Sequence, residues 1–434
     1  MEEISIFWYR RDLRLYDNAG LYHALKSGLP VLPIFIFDVT ILDDLKDKFD
    51  PRVSFIYNEI INIKKQLNSW GSDLEMCYGR PEAVFKSLID KYSIKGVYTN
   101  NDYEPSTIQR DENIKKLLSA NGIGFFSYKD QVIFEKEEIL NNSEKPYLVY
   151  TPYKNKWLGT LNDFYLKTYP TNKYFTAFIK KTPEKEFPVE YIGFKQTRLA
   201  IPSSEISRKI ISEYDQNRNY PFLEDGTSRL GIHFRFGTIS IREKARKAIP
   251  LNDIWLSELI WREFFMQLLF HFPHIVSESF QPKFNRIEWR YSEEDFTKWC
   301  EGKTGYPLVD AGMRELNATG HMHNRVRMVV ASFLTKHLFI DWRWGEAYFA
   351  EKLLDYDLSA NNGNWQWCAG TGADAQPYFR IFNSITQQEK FDPKFIYIKK
   401  WIPEFGTNDY VKPMIDHKQA VARAKERFSI LAKQ

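Results

Sequence analysis

The chain has 434 residues and a mass of 51.5 kDa, enough for two or three domains with sizeable cores. Hydrophobic residues make up 43% and charged residues 27%, which excludes a disordered chain, and no apolar run reaches the roughly 18 residues of a membrane span. The net charge of +4 is uneven: residues 1–130 carry 17 basic against 19 acidic side chains and the remainder 43 against 37, so an anionic partner is expected on the second part.

The chain enters a strand-like run directly after Met-Glu-Glu, so no signal peptide is expected. Short apolar or β-branched runs at 4–9, 31–37, 73–78, 95–99 and 123–128 read as strands buried on both faces. Helix-like segments at 17–27, 51–69, 81–92 and 106–120 lie between them. This alternation predicts an α/β domain over 1–129, a Rossmann-like, doubly wound parallel sheet with ligands at the carboxyl ends of its strands. No GxGxxG follows the first strand. Tyr9-Arg10-Arg11-Asp12 stands there instead, which disfavours a dinucleotide held in the Rossmann manner. Residues 130–202 are lysine-rich, are punctuated by Pro146, Pro152, Pro170, Pro183 and Pro188, and read as a connector. From 203 to 434 the pattern turns helical, with three- and four-residue apolar spacing at 240–248, 253–271, 292–301, 307–318, 322–339 and 344–354. This predicts an all-α second domain, and no disordered tail is expected at its end. Cys77, Cys300 and Cys368 form no CxxC pair, which fits a reducing cytoplasm better than a disulfide or zinc scaffold.

Ten of the twelve tryptophans lie beyond residue 130. An aromatic-rich core accounts for most of them. Some, however, stand among polar groups able to hold a planar ligand: Trp261 between Glu258 and Arg262, and Trp365-Gln366-Trp367 just after Asp355, Asp357 and Asn361. Gly226-Thr227-Ser228-Arg229-Leu230-Gly231 offers backbone N–H groups, two hydroxyls and a guanidinium suited to a pyrophosphate, although Thr-Ser also caps helices. Arg325, Arg327, Lys399 and Lys400 are candidates for phosphates, against the plainer reading of a solvated basic surface. His321-Met322-His323 suggests a metal only superficially, because side chains two apart on a helix diverge and no acidic or Cys ligand has useful spacing. GxSxG, Walker A and HExxH motifs are absent.

Along nearly its whole length the chain resembles the photolyase/cryptochrome flavoproteins. The resemblance begins with Phe7-Trp8-Tyr9-Arg10-Arg11-Asp12-Leu13-Arg14, Tyr103-Glu104 and Thr151-Pro152-Tyr153. It becomes dense at 226–230, at Trp255 to Phe264, at Gly302 to Pro307, at Met322 to Met328, at Asp341-Trp342-Arg343 and at Asn361 to Asn383. Met322-His323-Asn324-Arg325 and the run Asn361 to Trp367 make it most similar to the class I cyclobutane pyrimidine dimer photolyases.

The resemblance implies a reduced, anionic FAD in the helical domain. Tyr214, Thr227, Ser228, Arg229, Leu230, Gly231 and Arg262 match positions on its phosphate side, with Gly231 where the family more often has Ser. Trp255, Asn324, Arg327, Asp355, Asp357 and Asn361 match positions around its ring and ribose, and Asn361 stands next to flavin N5. Glu258, Trp261, Asn324, Met328 and Trp367 match the pocket for a flipped-out dimer, with Arg325, Arg327, Lys399 and Lys400 on the basic rim. Trp365, Trp342 and Trp289 match a three-indole electron relay. A second, antenna chromophore is a further possibility, its identity open among methenyltetrahydrofolate, a deazaflavin and another flavin.

The expectation is therefore a cytoplasmic, monomeric carbon–carbon lyase without metal, which acts with light on dimer-containing DNA. Two rival readings are a cryptochrome-type blue-light signalling receptor and a (6-4) photolyase. The pocket residues Trp261, Trp367 and Met328 weigh against the first, and Asn324 and Met328 against the second.

Overall fold

The computed structural model describes residues 2–432. They form two compact units: Met1–Glu138 with Thr160–Ser204 and Leu230–Pro250, and Ile139–Gly159 with Glu205–Arg229 and Leu251–Gln434.

The first unit is built on five parallel strands: β1 (Glu3–Tyr9), β2 (Val31–Asp38), β3 (Glu75–Gly79), β4 (Ser93–Asn100) and β5 (Gly124–Tyr128). Their order is β3-β2-β1-β4-β5, with registers such as Trp8 opposite Ile34 and Phe7 opposite Tyr98. The inner strands β1 and β2 are buried on both faces, so apart from Ser5 and their terminal acids Glu3 and Asp38 their sequences are apolar rather than alternating. Helices Ala19–Leu25, Pro51–Ser69, Pro81–Lys91 and Pro105–Ala120 make the crossovers, three of them opened by a proline whose missing N–H is not needed there. All nine elements lie within two residues of the bounds expected from sequence.

Leu230–Pro250 joins this unit through a buried ion cluster. Arg14 (2.6 Å) and Arg242 (2.9 Å) both donate to the Asp130 carboxylate, and Arg242 also reaches Asp17 at 3.0 Å. Burial alone would raise the Asp130 carboxyl, but the two guanidinium groups hold it below its usual range.

The connector expected over 130–202 does not stand apart: 139–159 belongs to the helical unit and 160–204 to the sheet unit. The boundary expected at 202/203 likewise gives way, since 230–250 packs with the sheet. The contacts behind both changes join residues more than a hundred apart, such as Arg242 with Asp130 and Trp157 with Glu263, and local composition does not display them.

The helical unit is organised around Asp253–His271, Glu293–Cys300, Pro307–Thr319, Asn324–Ser332, Trp342–Lys352 and Leu358–Ala369. Its core includes Trp299, Met313, Val330, Phe333, Trp342, Phe349, Trp365 and Tyr397. The segment 322–339 was expected as one helix. Instead, Asn324–Ser332 is followed by a π turn, Phe333–Leu338, which ends at Phe339 with φ +57°. Within that turn the Thr335 hydroxyl donates to the Ala331 carbonyl at 2.9 Å, a side-chain intrusion into the helical ladder. The helices Leu358–Ala369, Ser384–Phe391, Ile396–Trp401 and His417–Ala432 had no counterpart among the expected segments. Leu358–Ala369 hides its periodicity because it buries Asn361, Asn362 and Gln366 along with Trp365. Asn362 and Gln366 both donate to the Ile275 carbonyl, at 2.9 and 3.1 Å.

Candidate active site

Four helices of the second unit carry most of the expected site. Asp253–His271 begins at Asn252, whose side chain accepts from the N–H groups of Ile254 and Trp255. It presents Trp255, Glu258, Trp261 and Arg262. Asn324–Ser332 is capped by His323 and carries Asn324, Arg325, Arg327 and Met328. Trp342–Lys352 is capped by Asp341, and Leu358–Ala369 by Asp357. The last two helices pack together, and Leu358–Ala369 also meets the other two. Gly363 permits one of these approaches, because a Cβ there would lie 2.2 Å from the Phe265 ring.

A cavity in this unit is lined by Asn324, Arg327, Met328, Asp355, Asp357, Asn361 and Trp365 among others. It gathers seven of the expected residues. The Arg327 guanidinium donates to both oxygens of Asp355 (3.1 and 3.0 Å) and to the Met322 carbonyl at 2.7 Å. Its fork is thus committed inside the unit, which sets it apart from a rim cation free to meet phosphate. Asp357 combines two functions, since it caps its helix by accepting from the Ala360 N–H at 3.2 Å and also lines the cavity. The Asn361 amide nitrogen donates to the Glu346 carbonyl (3.0 Å) and carboxylate (2.8 Å). Among the described residues no bond engages the Asn361 amide oxygen, which stays available as an acceptor. Burial raises the Glu346 carboxyl, and the Asn361 bond opposes that shift. Glu346 escaped the sequence reading, although it lies one helical turn after Trp342.

In the same unit, Glu258 is paired with Arg218, and burial nonetheless lifts its carboxyl above the usual range. The Arg218 guanidinium lies 5.6 Å from the Tyr214 ring, which brings Tyr214 into the same cluster. Nothing in the sequence linked Arg218 to Glu258, 40 positions away. Trp261 is half-buried and stacks on Tyr150 with centroids 3.5 Å apart and planes at 6°. Trp367 is also half-buried, while Trp255 is fully buried.

Arg325 is less free than expected. It donates to the Asn219 carboxamide oxygen at 2.5 Å and lies over the Phe391 ring at 4.6 Å. Lys399 and Lys400 are exposed on Ile396–Trp401, and Lys400 pairs with exposed Glu224 at 3.1 Å. Thr227 and Ser228 are half-buried, and among the described residues no hydrogen bond within the protein engages their hydroxyls. Arg229 is exposed and holds φ at +49°, a costly conformation for a non-glycine residue that accumulates at functional sites. Leu230 and Gly231 fall in the first unit, where Leu230 is buried and Gly231 opens a short helix. Arg262 is half-buried.

Of the three relay candidates, Trp365 and Trp342 are buried and Trp289 is half-buried against Phe339 at 5.1 Å. The Trp365 ring packs into the space over Gly345, where a Cβ would lie 2.1 Å from it. Buried Trp299 stands edge-on to Trp365 at 6.2 Å, a neighbour that sequence reading did not single out.

The first unit has a crevice of its own at the carboxyl ends of β1 and β2, lined also by Asp102 and Glu104 just after β4, and the strand order reverses between β1 and β4. Trp8, Phe35, Phe37 and Phe236 supply apolar walls there. The polar lining is largely paired: Arg11 with Asp102 (3.1 Å) and Glu104 (2.8 Å), and Arg235 with Glu104 (2.5 Å).

Among the described residues no cluster of His, Cys, Asp and Glu could hold a metal ion.

Comparison with known proteins identifies the family. Residues 5–174 match the family model for DNA photolyase, and residues 255–408 the model for the FAD binding domain of DNA photolyase. The deoxyribodipyrimidine photo-lyase of Halobacterium salinarum is 37% identical, across 92% of this chain and 89% of its own length. A bacterial class III photolyase from Agrobacterium tumefaciens superposes with a TM-score of 0.89 at 30% identity, covering 100% of this chain and 98% of that one. An archaeal photolyase from Sulfolobus tokodaii, solved with two FAD molecules, gives 0.84 at 34% identity, covering 99% and 100%.

Proposed function

Since the chain belongs to the DNA photolyase family, we propose that it is a light-driven lyase that splits cyclobutane pyrimidine dimers in DNA, using a reduced FAD held in its helical unit. One observation carries this reading: a cavity walled by Arg327–Asp355, Asp357, Asn361 and Trp365 sits in the unit that also presents Glu258, Trp261, Met328 and Trp367.

The donor set fits an FAD. The free hydroxyls of Thr227 and Ser228, with the exposed Arg229, suit its phosphates. Asp355, oriented by Arg327, and Asp357 suit its ribose and ring edge. The unused amide oxygen of Asn361 can accept from a ring N–H, because Glu346 holds the amide nitrogen turned away. The buried indoles Trp365 and Trp342, with Trp289 nearer the surface, support a path for recharging electrons. When bound and reduced, the flavin would supply the electron that opens the dimer and recover it afterwards.

The residues around the lesion have separate tasks. Trp261 and Trp367 offer flat apolar faces to two joined pyrimidines of one strand taken out of the stack. Glu258 accepts hydrogen bonds from the thymine rings once Arg218 yields part of its hold. Lys399, Lys400 and Arg325 meet backbone phosphates, which position DNA without reading its sequence.

The crevice of the sheet unit is our candidate for the antenna chromophore, supported by its aromatic walls and by the second FAD of the Sulfolobus structure. No described helix is long and apolar enough to cross a membrane. We place the protein in the cytoplasm as a monomer, because one chain carries the whole residue set; sedimentation tests that assignment.

The decisive experiment illuminates reduced, FAD-loaded protein with an oligonucleotide bearing one thymine dimer. Restored thymines are expected under blue light and not in the dark. An intact dimer after prolonged illumination, with flavin bound and reduced, would refute the reading.

A further inference from the structure

The helix Tyr150–Thr160 reads in sequence as part of a connector, yet one of its faces is spent on the helix that bears Glu258 and Trp261. Residues 150, 153, 154 and 157 follow the i, i+3, i+4, i+7 spacing of one helical stripe. Each of them grips Asp253–His271. The Tyr150 hydroxyl donates to the Ser257 carbonyl at 2.9 Å, and its backbone N–H donates to Asp374 at 3.0 Å. Tyr153 packs on Phe264 with centroids 5.3 Å apart. The Lys154 ammonium donates to the Ser257 hydroxyl at 2.6 Å, and the Trp157 indole N–H to the Glu263 carboxylate at 2.6 Å.

The contact that matters for chemistry is the stack of Tyr150 on Trp261. Tyr150 is only 8% exposed, so it cannot itself meet DNA, whereas Trp261 is half-buried and can. The two rings lie 3.5 Å apart and within 6° of parallel. The tyrosine is held at three points: its ring by Trp261, its hydroxyl by Ser257 and its backbone by Asp374. A ring anchored in this way fixes the plane of whatever stacks on it. An indole fixed before the lesion arrives loses less side-chain freedom on binding than one that must be ordered then.

We propose that Tyr150 is a positioning residue for the lesion pocket, setting the plane of the Trp261 indole against which the flipped-out dimer lies. This rests on the pocket reading given above. The class of ligand it serves is a pair of pyrimidine rings outside the duplex stack. Intact duplex, held through phosphates, draws on it little.

The test compares Tyr150→Met, which fills the space without a flat ring, Tyr150→Phe, which keeps the ring and loses the hydroxyl, and Trp261→Ala. Affinity is measured for an oligonucleotide with one thymine dimer and for its undamaged twin, with the near-ultraviolet circular dichroism of each variant. From the worth of an aromatic pair, Tyr150→Met is expected to weaken dimer binding roughly 2- to 12-fold and to leave undamaged DNA unchanged. It should also change the tryptophan bands of the dichroism spectrum. Tyr150→Phe should restore both readouts. If Tyr150→Met does not fold, Tyr150→Leu supplies the same comparison. Wild-type dimer affinity in the Met variant, alongside a loss in Trp261→Ala, overturns the role of Tyr150 and leaves the pocket standing. Equal losses on both DNAs in the Met variant overturn it as well. Undiminished dimer affinity in Trp261→Ala overturns the pocket reading and this inference with it.

Discussion

Glu258 is held by Arg218, which opposes the upward pull of burial on its carboxyl, and 34% of its side chain stays exposed to a ligand. Glu258→Gln preserves the shape and removes the charge. The repaired dimers per absorbed photon should fall more than the affinity does, because a fixed acceptor matters most when charge develops on the ring. Equal falls in yield and affinity would mean that Glu258 only binds. Asp355 presents a different case, since its two oxygens orient Arg327. Asp355→Ala removes a charged hydrogen-bond partner worth roughly 1.5–3 kcal/mol and leaves the guanidinium half-buried and unpaired. The dissociation constant for FAD should rise about tenfold or more by that range, read by titrating the flavin-free protein with FAD. Wild-type affinity would remove Asp355 from the cofactor site.

At the scale of elements, the site depends on how closely helices approach. Asp253–His271 and Leu358–Ala369 meet where the Phe265 ring occupies the place of a Gly363 side chain, 2.2 Å from the position of its Cβ. Neither helix can shift without moving Trp261 or Trp365. Gly363→Ala should therefore cost about 1–3 kcal/mol, the usual penalty of overpacking. Chemical denaturation of Gly363→Ala and of the double variant with Phe265→Leu checks this. The second change should return part of the loss, and strictly additive losses would show that the two residues do not compete for one space. The polar ridge of Asn361, Asn362 and Gln366 gives the same helix its register. Three buried amides bonded across helices specify one rotation of Leu358–Ala369, which points Trp365 inward and leaves Trp367 half-exposed.

Stability of the whole molecule carries one buried liability. Lys336 lies in the π turn, is 1% exposed, donates to the Ala369 carbonyl at 2.5 Å and lies 3.6 Å from the Phe428 ring. Burial lowers its ammonium to about 7. An unfolded lysine near 10.4 binds more protons than the folded one between pH 7 and about 10. Stability should thus rise with pH in that window, by about 1.4 kcal/mol per pH unit from this group alone. Lys336→Met should lose this slope and gain stability at neutral pH, as measured by denaturant titration from pH 7 to 10. An unchanged slope would assign the pH dependence to other groups.

Sequence alone determined the five strands and their crossover helices to within two residues, because such elements are local, apolar or periodic, and punctuated by proline and glycine. It also determined the family, because runs such as Trp255 to Phe264 and Asn361 to Asn383 are contiguous. Only the tertiary structure decided where the chain divides: 139–159 joins the helical unit and 230–250 the sheet, through side chains such as Trp157 with Glu263 and Arg242 with Asp130. It alone paired Arg218 with Glu258, turned Arg325 toward Asn219 and Arg327 toward Asp355, and set Tyr150 against Trp261. The reason is physical. Hydrophobic period reports which face of a segment is dry, but charge pairing and ring stacking act between residues that are distant in sequence. Leu358–Ala369, whose buried face is amide as well as indole, shows where that period falls silent.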